Sequence, residues 1–378
     1  MSYSNTNNLP ENLALDSKVI GWLRFPLTCL IVLWHVQTPG ISSGGFAYIL
    51  RVILSHGICR IAIPLFFIIS GYLFFQNLER WNKKVWFGKL NRRLHTLLIP
   101  YLCWNVLGIA FICISQRLGA STANSGSIWD VFQDRGWLRL FWDSNRITEQ
   151  WTPLDVNILG IVMHKGMPAN SPLWYIRDLM VLNLIAPFIF VFVKHTRLFG
   201  IAMLGALYLL NIWLPMEGFS IIGFFFYSIG AYCAIRSKGL GDSFQKVKMI
   251  SYIGTVVFLS FFVISFSQHW PSQYFQRLFQ LFGAVATYNL ATHVLQEKKV
   301  IQANLADCSF FVYASHILLL SGIVFLLGKI IPGTNQLLLV IQYLLAAVIT
   351  IILCVGVFQI MKRLCPRLLS FICGNRNN

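Results

Sequence analysis

The sequence predicts an all-α, polytopic membrane helix bundle of about ten transmembrane helices, with both termini in the cytoplasm. Three observations carry that prediction. The chain has 378 residues, of which 56% are hydrophobic and only 11% charged, against about 25% charged in a soluble domain. Its apolar residues come in blocks of about 20, the length a helix needs to cross a hydrocarbon core of about 30 Å. Its Lys and Arg gather mainly in alternate connections between those blocks, the bias that orients membrane proteins.

Residues 1–17 are polar and read as a loose tail, and residues 18–365 as one membrane domain. The apolar blocks run over 19–38, 58–76, 94–115, 173–193, 198–215, 218–235, 249–267, 275–295, 308–328 and 335–361, with a shorter helix over 46–57. The first block has no basic stretch before it and no small-residue cleavage site after it, so it is a retained helix, not a signal peptide. The segment 117–172 is the one long connection; rich in Trp, Asp, Ser and Gly, it predicts an interfacial, extracytoplasmic cap. The connection 77–93 holds Arg80, Lys83, Lys84, Lys89, Arg92 and Arg93, which places it in the cytoplasm. Counted from there, Lys194 and Arg197, then Arg236, Lys238, Lys246 and Lys248, then Lys298 and Lys299 fall on the same side, and 366–378 is a basic cytoplasmic tail. The formal charge of +17 therefore belongs to membrane topology, and a nucleic-acid partner is excluded. Nine Cys lie mostly inside apolar blocks with no CxxC pair, and read as small buried hydrophobes, neither a disulfide framework nor a metal site.

A charged side chain at mid-bilayer costs about 2.5–3.5 kcal/mol even on lenient scales, so each one needs a reason. Arg24 and His35 have ten residues between them in the first span. That is close to three helical turns, so both project from one face about 16 Å apart. Either alone reads equally well as a snorkelling Arg or a satisfied core His; together they suggest a shared polar path. Arg60 has apolar neighbours on both sides, Pro64 kinks its span or frees a carbonyl, and Ser70 and Gly71 allow close helix packing. Trp174 and Tyr175 read as an interfacial aromatic belt, with Arg177 and Asp178 deeper in the span. Adjacent helical residues diverge by about 100°, so Arg177 and Asp178 need not pair with each other, and Asp178 could instead pair with Arg60 or orient His35. Tyr313 and His316 share one helix face, although a lone His on an apolar helix is more often a core residue. Arg277 and His293 lie near the ends of their span and read as snorkelling.

Together these pieces resemble the membrane-bound acyltransferase-3 family, which acylates cell-surface glycans, over nearly the whole chain. Arg24 and His35 match the family's Arg/Lys-x10-His signature. RIAIPLFFIISGYLFF is similar to its second-span stretch, PLWYIRDLM to its Leu-Trp-Tyr element, VYASHILLL to its late Tyr–His segment, and KLNRRLHTLLIPYLCW to its basic third-span entry. The family often has Arg-x-x-Arg at that entry; here Lys89 stands first, with Arg92 and Arg93 side by side, so which of the three carries the role is open.

The resemblance implies transfer of an acyl group, usually acetyl, from cytoplasmic acyl-CoA to a hydroxyl of a saccharide or lipid-linked glycan across the bilayer. It implies a bacterial cell membrane, a stand-alone member without an appended hydrolase-like domain, and no metal. Lys89, Arg92 and Arg93, with Arg24 just inside, would meet the CoA phosphates, which suit the planar donor fork of Arg. His35 would be the general base, since an imidazole ordinarily titrates near ~6.5. Arg60 or Arg177 would stabilise the oxyanion, His316 and Tyr313 would position the thioester or assist the proton, and Trp174, Asp178 and Ser70 would line the substrate side. The competing class is a permease for an anionic or saccharide-lipid substrate, because intramembrane Arg and His also line transporters. No paired broken helices stand out in corresponding halves of the sequence to support it.

Overall fold

The computed structural model describes residues 11–41, 44–76, 78, 81–117, 137–143, 166–214, 216–236, 239–297 and 303–374. In chain order the helices are α1 (Glu11–His35), α2 (Phe46–Arg51), α3 (Ala62–Phe75), α4 (Lys83–Arg93), α5 (Ile99–Arg117), α6 (Trp137–Trp142), α7 (Trp174–Leu184) and α8 (Ala186–Leu210). There follow α9 (Ile221–Arg236), α10 (Leu240–Gln245), α11 (Lys248–Ser267), α12 (Gln273–Glu297), α13 (Ala303–Ile330), α14 (Gln336–Leu364) and α15 (Pro366–Ile372), with no strand among the described residues.

Each of the ten apolar blocks is occupied by helix, but among the described residues seven stretches are both long and apolar enough to cross a bilayer. They are Leu13–His35, Phe46–Phe75, Lys83–Ser115, Ala186–Leu210, Lys248–Ser267, Leu305–Ile330 and Gln336–Leu364. Two of the shortfalls have a plain cause. α9 is apolar but shorter. α12 is long but carries Gln276, Gln280 and Asn289, which are buried against other helices and lower its hydropathy. Large apolar side chains on α8, α11 and α14, such as Phe188, Phe199, Val256 and Ile352, are exposed, as a surface facing lipid requires.

Prolines and one strained residue set the breaks. Pro187 cannot donate a backbone hydrogen bond, so the carbonyl four residues earlier is freed. That carbonyl, on Asn183, accepts the indole N–H of Trp86 at 3.2 Å. Within α8 the chain kinks at Arg197, whose φ of 53° lies in the left-handed region, between the two blocks the sequence separates at 194–197. Ahead of Pro64, residues Val52–Gly57 form a π turn and Ile58–Ile61 a 3-10 turn, so the stretch from Phe46 to Phe75 is irregular in its first half.

The tightest crossing is that of α3 and α9. A Cβ on Gly71 would stand 2.1 Å from the carbonyl of Tyr227, and one on Gly230 would stand 2.0 Å from that of Ile68. Only glycine lets the backbones approach so closely, which is the packing role the Ser70–Gly71 pair suggests. α1 packs along α13 in the interior, and α13 along α14.

Both predicted tails are partly folded. α1 begins at Glu11, and Asp16 is buried. Its two carboxylate oxygens accept four bonds: from the Tyr72 hydroxyl (3.1 Å), the Tyr288 hydroxyl (2.6 Å), and the backbone N–H groups of Leu240 (2.8 Å) and Gly241 (3.0 Å). Beyond residue 365, α15 buries Leu369 and Ile372, and the Ile372 carbonyl accepts the Trp104 indole N–H at 3.0 Å. The first tail is thus held by polar bonds to a buried carboxylate, the second by burial of apolar side chains. Of the long connection, residues 117, 137–143 and 166–172 are described, and the rest of 117–172 lies outside the described residues. Asn170, wholly buried, ties this part to the bundle by donating to the carbonyls of Trp104 (3.3 Å) and Ala314 (2.9 Å).

Candidate active site

α1 and α13 bring two histidines together. The Nε2 of His316 lies 3.3 Å from the Nδ1 of His35, with ring centroids 5.0 Å apart. The backbone decides their tautomers. The Nδ1 of His316 sits 2.7 Å from the Tyr313 carbonyl, and that of His35 sits 2.8 Å from the Ile31 carbonyl. A carbonyl only accepts, so in the neutral pair both Nδ1 atoms carry the proton. The Nε2 of His316 is then a lone pair facing the Nδ1–H of His35. The Nε2 of His35 is left as the basic atom of the pair. His316 is fully buried, and His35, the last residue of α1, is half-buried.

The guanidinium of Arg60 lies 4.4 Å from the ring of Trp34, a cation–π contact beside His35, and acts electrostatically on the His35 imidazole. Two tyrosines lead away from the pair. The Tyr313 ring is 6.5 Å from that of His316 and 6.3 Å from that of Tyr175, and its hydroxyl donates to the Pro172 carbonyl. The Tyr175 hydroxyl shares a 2.8 Å hydrogen bond with Ser70 and lies 3.2 Å from the Phe66 carbonyl. Trp174 is half-buried against Phe67, at 6.3 Å between rings.

The basic entry to the third span divides its labour. Lys89 donates to the carbonyls of Phe74 and Gln76, at the C-terminal end of α3 where unpaired carbonyls and the helix dipole favour a cation. Arg92 is exposed. Arg93 turns inward, within electrostatic reach of Arg24, Tyr175 and Tyr227. A series of side chains thus runs from Arg93 and Arg24 through Tyr175 and Tyr313 to His316 and His35.

Two expectations are corrected. Asp178 pairs neither with Arg60 nor with His35; its Oδ1 takes the Arg177 Nε (3.2 Å) and Nη2 (3.1 Å), and its Oδ2 the Ser220 N–H (3.3 Å). Adjacent residues do pair here because the long Arg side chain folds back over its neighbour. Arg177 also donates through Nη1 to the carbonyls of Trp142 (2.5 Å) and Gly166 (2.7 Å), so two of its N–H groups clamp the long connection to α7 while two hold Asp178. Arg277 does not snorkel: it donates to the Tyr208 carbonyl and its guanidinium lies 5.1 Å from that ring.

Sequence reasoning passed over Asp16, Asn170, Arg51 and His56. Asp16 had a signal, as an acid bordering an apolar block in a chain with only 13 Asp and Glu. Asn170 had none, because its partners are backbone carbonyls from distant helices. Among the described residues no His, Cys, Asp and Glu gather as a metal site, and all nine Cys are free.

The described residues thus form an apolar helical bundle in which half-buried His35 meets fully buried His316 and Arg93 turns inward from the basic entry to the third span. The acyltransferase-3 family model, described as an acyltransferase domain, matches residues 17–359, and the chain belongs to that family. It is similar to the succinoglycan biosynthesis protein ExoH of Rhizobium meliloti (strain 1021), 23% identical over 373 residues, covering 94% of this chain and 92% of that one. No solved structure matches the chain.

Proposed function

We propose that the protein moves an acyl group, most simply acetyl, from cytoplasmic acyl-CoA to a hydroxyl of a saccharide or lipid-linked glycan at the outer face of the bacterial cytoplasmic membrane. The observation that carries this reading is the histidine pair with its backbone-set tautomers. Ten spans with both ends inside are part of the proposal: α7 with the first half of α8, the second half of α8, α9 and α12 complete the count as spans buttressed by their neighbours. The Lys and Arg bias then puts Lys89, Arg92 and Arg93 in the cytoplasm.

Arg93 and Arg24 receive the CoA phosphates, with Arg92 at the surface of the port. Lys89 holds the end of α3 beneath them. The pantetheine arm follows the Tyr175–Tyr313 line, and the thioester reaches His35. The acceptor hydroxyl gives its proton to His35 Nε2 as its oxygen bonds to the acyl carbon. Negative charge builds on the carbonyl oxygen, and the Arg60 guanidinium stabilises it. The C–S bond then breaks, and the thiolate takes the proton back from His35. The His35 Nδ1–H, shared between the Ile31 carbonyl and the lone pair on His316 Nε2, holds the ring in place, and both acceptors steady the imidazolium, the part a carboxylate plays in a serine-protease triad. Tyr313 holds His316 through its carbonyl. Arg177 and Asp178 act at one remove, as positioning residues for the loop over the site, while Ser70 and Trp174 shape the substrate side.

The test is purified protein in lipid with radiolabelled acetyl-CoA and a glycan acceptor. CoA release with label on the acceptor supports the reaction, and His35→Gln should lower it by about 10²–10⁴ while the protein still inserts. Acceptor movement across liposomes without CoA release would instead favour the permease.

A further inference from the structure

The irregular turns between α2 and α3 do something regular helix would not. A π turn widens the backbone by one residue and is often found at functional sites. Here it spans Val52–Gly57, and its flanks carry Arg51 and Arg60, with His56 inside it. The turn is held from two sides: the Gln276 amide donates to the His56 carbonyl at 2.7 Å, and Ser55 shares a 2.7 Å hydrogen bond with the Tyr343 hydroxyl. It is therefore a built feature of the bundle.

Two polar atoms in it have no partner among the described residues. Arg51 Nε and His56 Nδ1 are both buried and make no hydrogen bond. A buried polar group without a hydrogen bond costs about 1–3 kcal/mol, which an acceptor group of a bound ligand would relieve. The charges acting on the His56 ring are Arg60 and Arg51, both cationic. Each orphan rests on an aromatic ring: the Arg51 guanidinium 5.9 Å from that of Tyr48, and the His56 imidazole stacked on Phe266 at 5.7 Å and 20°. Those two rings, 6.3 Å apart, line one cavity of about 260 Å³ together with Val52, Val263 and His269. At about 30 Å³ per water, that is room for one sugar ring, which aromatic faces suit. Gln273, one turn from Gln276 on α12, adds a buried acceptor oxygen with no partner. Arg60, the next Arg along the chain, stands beside Trp34 and His35 and so ties this region to the histidine pair.

We infer that Arg51 and His56 form an anion subsite that holds an acidic group of the saccharide acceptor, carboxylate or phosphate, while one of its sugar rings lies in the cavity against Tyr48 and Phe266. The inference rests on the acceptor-side reading above and adds to it the acceptor's chemistry: an acidic sugar, not a neutral one. It gives Arg51 and His56 a role in acceptor recognition and none in the proton transfer.

The experiment is equilibrium binding, without acyl-CoA, to full-length protein in phosphatidylcholine nanodiscs. The probes are trigalacturonate, glucose 1-phosphate and neutral maltotriose. One of the two acidic probes should bind on the order of tenfold or more tightly than maltotriose, and which one identifies the anion. Arg51→Gln and His56→Gln should each remove that preference, and Arg51→Lys should keep part of it, which separates lost charge from misfolding. Equal binding of acidic and neutral probes, or undiminished preference in folded Arg51→Gln, overturns the subsite. Because no acyl donor is present, this result is independent of whether His35→Gln loses transfer.

Discussion

Replacing Asp16 by Asn is expected to loosen the basic end of the bundle. Each oxygen of the Asp16 carboxylate takes one tyrosine hydroxyl and one backbone N–H: Tyr288 and Gly241 on Oδ1, Tyr72 and Leu240 on Oδ2. An Asn keeps one oxygen and puts an NH₂ in place of the other. A tyrosine hydroxyl can rotate and accept from that NH₂, but a backbone N–H cannot. One N–H is therefore orphaned, at about 1–3 kcal/mol. The two bonds to the surviving oxygen lose their charge assistance, about 1 kcal/mol each. Burying a neutral amide in place of a carboxylate recovers part of this, leaving a loss of about 2–4 kcal/mol. The assay is SDS titration of the purified protein in mixed micelles, followed by tryptophan fluorescence. Asp16→Ala orphans both backbone donors and should unfold earlier still. An Asn variant with the wild-type midpoint, or an Ala variant milder than Asn, would refute the assignment of Asp16 as the pin joining α1, α3, α10 and α12.

Gly230→Ala should cost at least about 3 kcal/mol and sharply lower the yield of monodisperse protein, because its Cβ would lie 2.0 Å from the Ile68 carbonyl and 2.7 Å from the Tyr72 nitrogen. Gly88→Ala, with nothing within 4 Å of the added carbon, serves as the neutral control. Arg93→Gln should raise the KM for acetyl-CoA about tenfold or more through a lost charge-assisted contact, leaving the SDS midpoint nearly unchanged. Lys89→Gln should do the reverse, since its ammonium caps α3. Arg177→Lys should destabilise the fold by about 2–3 kcal/mol, because a single ammonium cannot bridge Asp178, Trp142 and Gly166 together; a stable variant would show the clamp to be dispensable.

Local pattern carried the helices. Blocks of apolar residues, Pro187 and the basic run at 194–197 are written in adjacent positions, and the breaks at Ile185 and Arg197 follow from them. The Arg24–His35 spacing on α1 is equally local, since one helix's geometry sets it. What the sequence could not place are meetings between elements far apart in the chain. His35 and His316 are 281 residues apart, and Asp16 reaches Leu240 across 224. No spacing rule links such pairs; only the packing of α1 on α13 and of α10 on α1 does. The same holds for choices among equals. Lys89, Arg92 and Arg93 are alike as charges, and Asp178 had several eligible partners, yet which cation turns inward and which pair forms depends on the helix-end carbonyls and loops that surround them. Hydrophobic period and charge bias are summed over many residues and survive in a one-dimensional string. A hydrogen bond is decided within about 3 Å, and that distance exists only once the chain has folded.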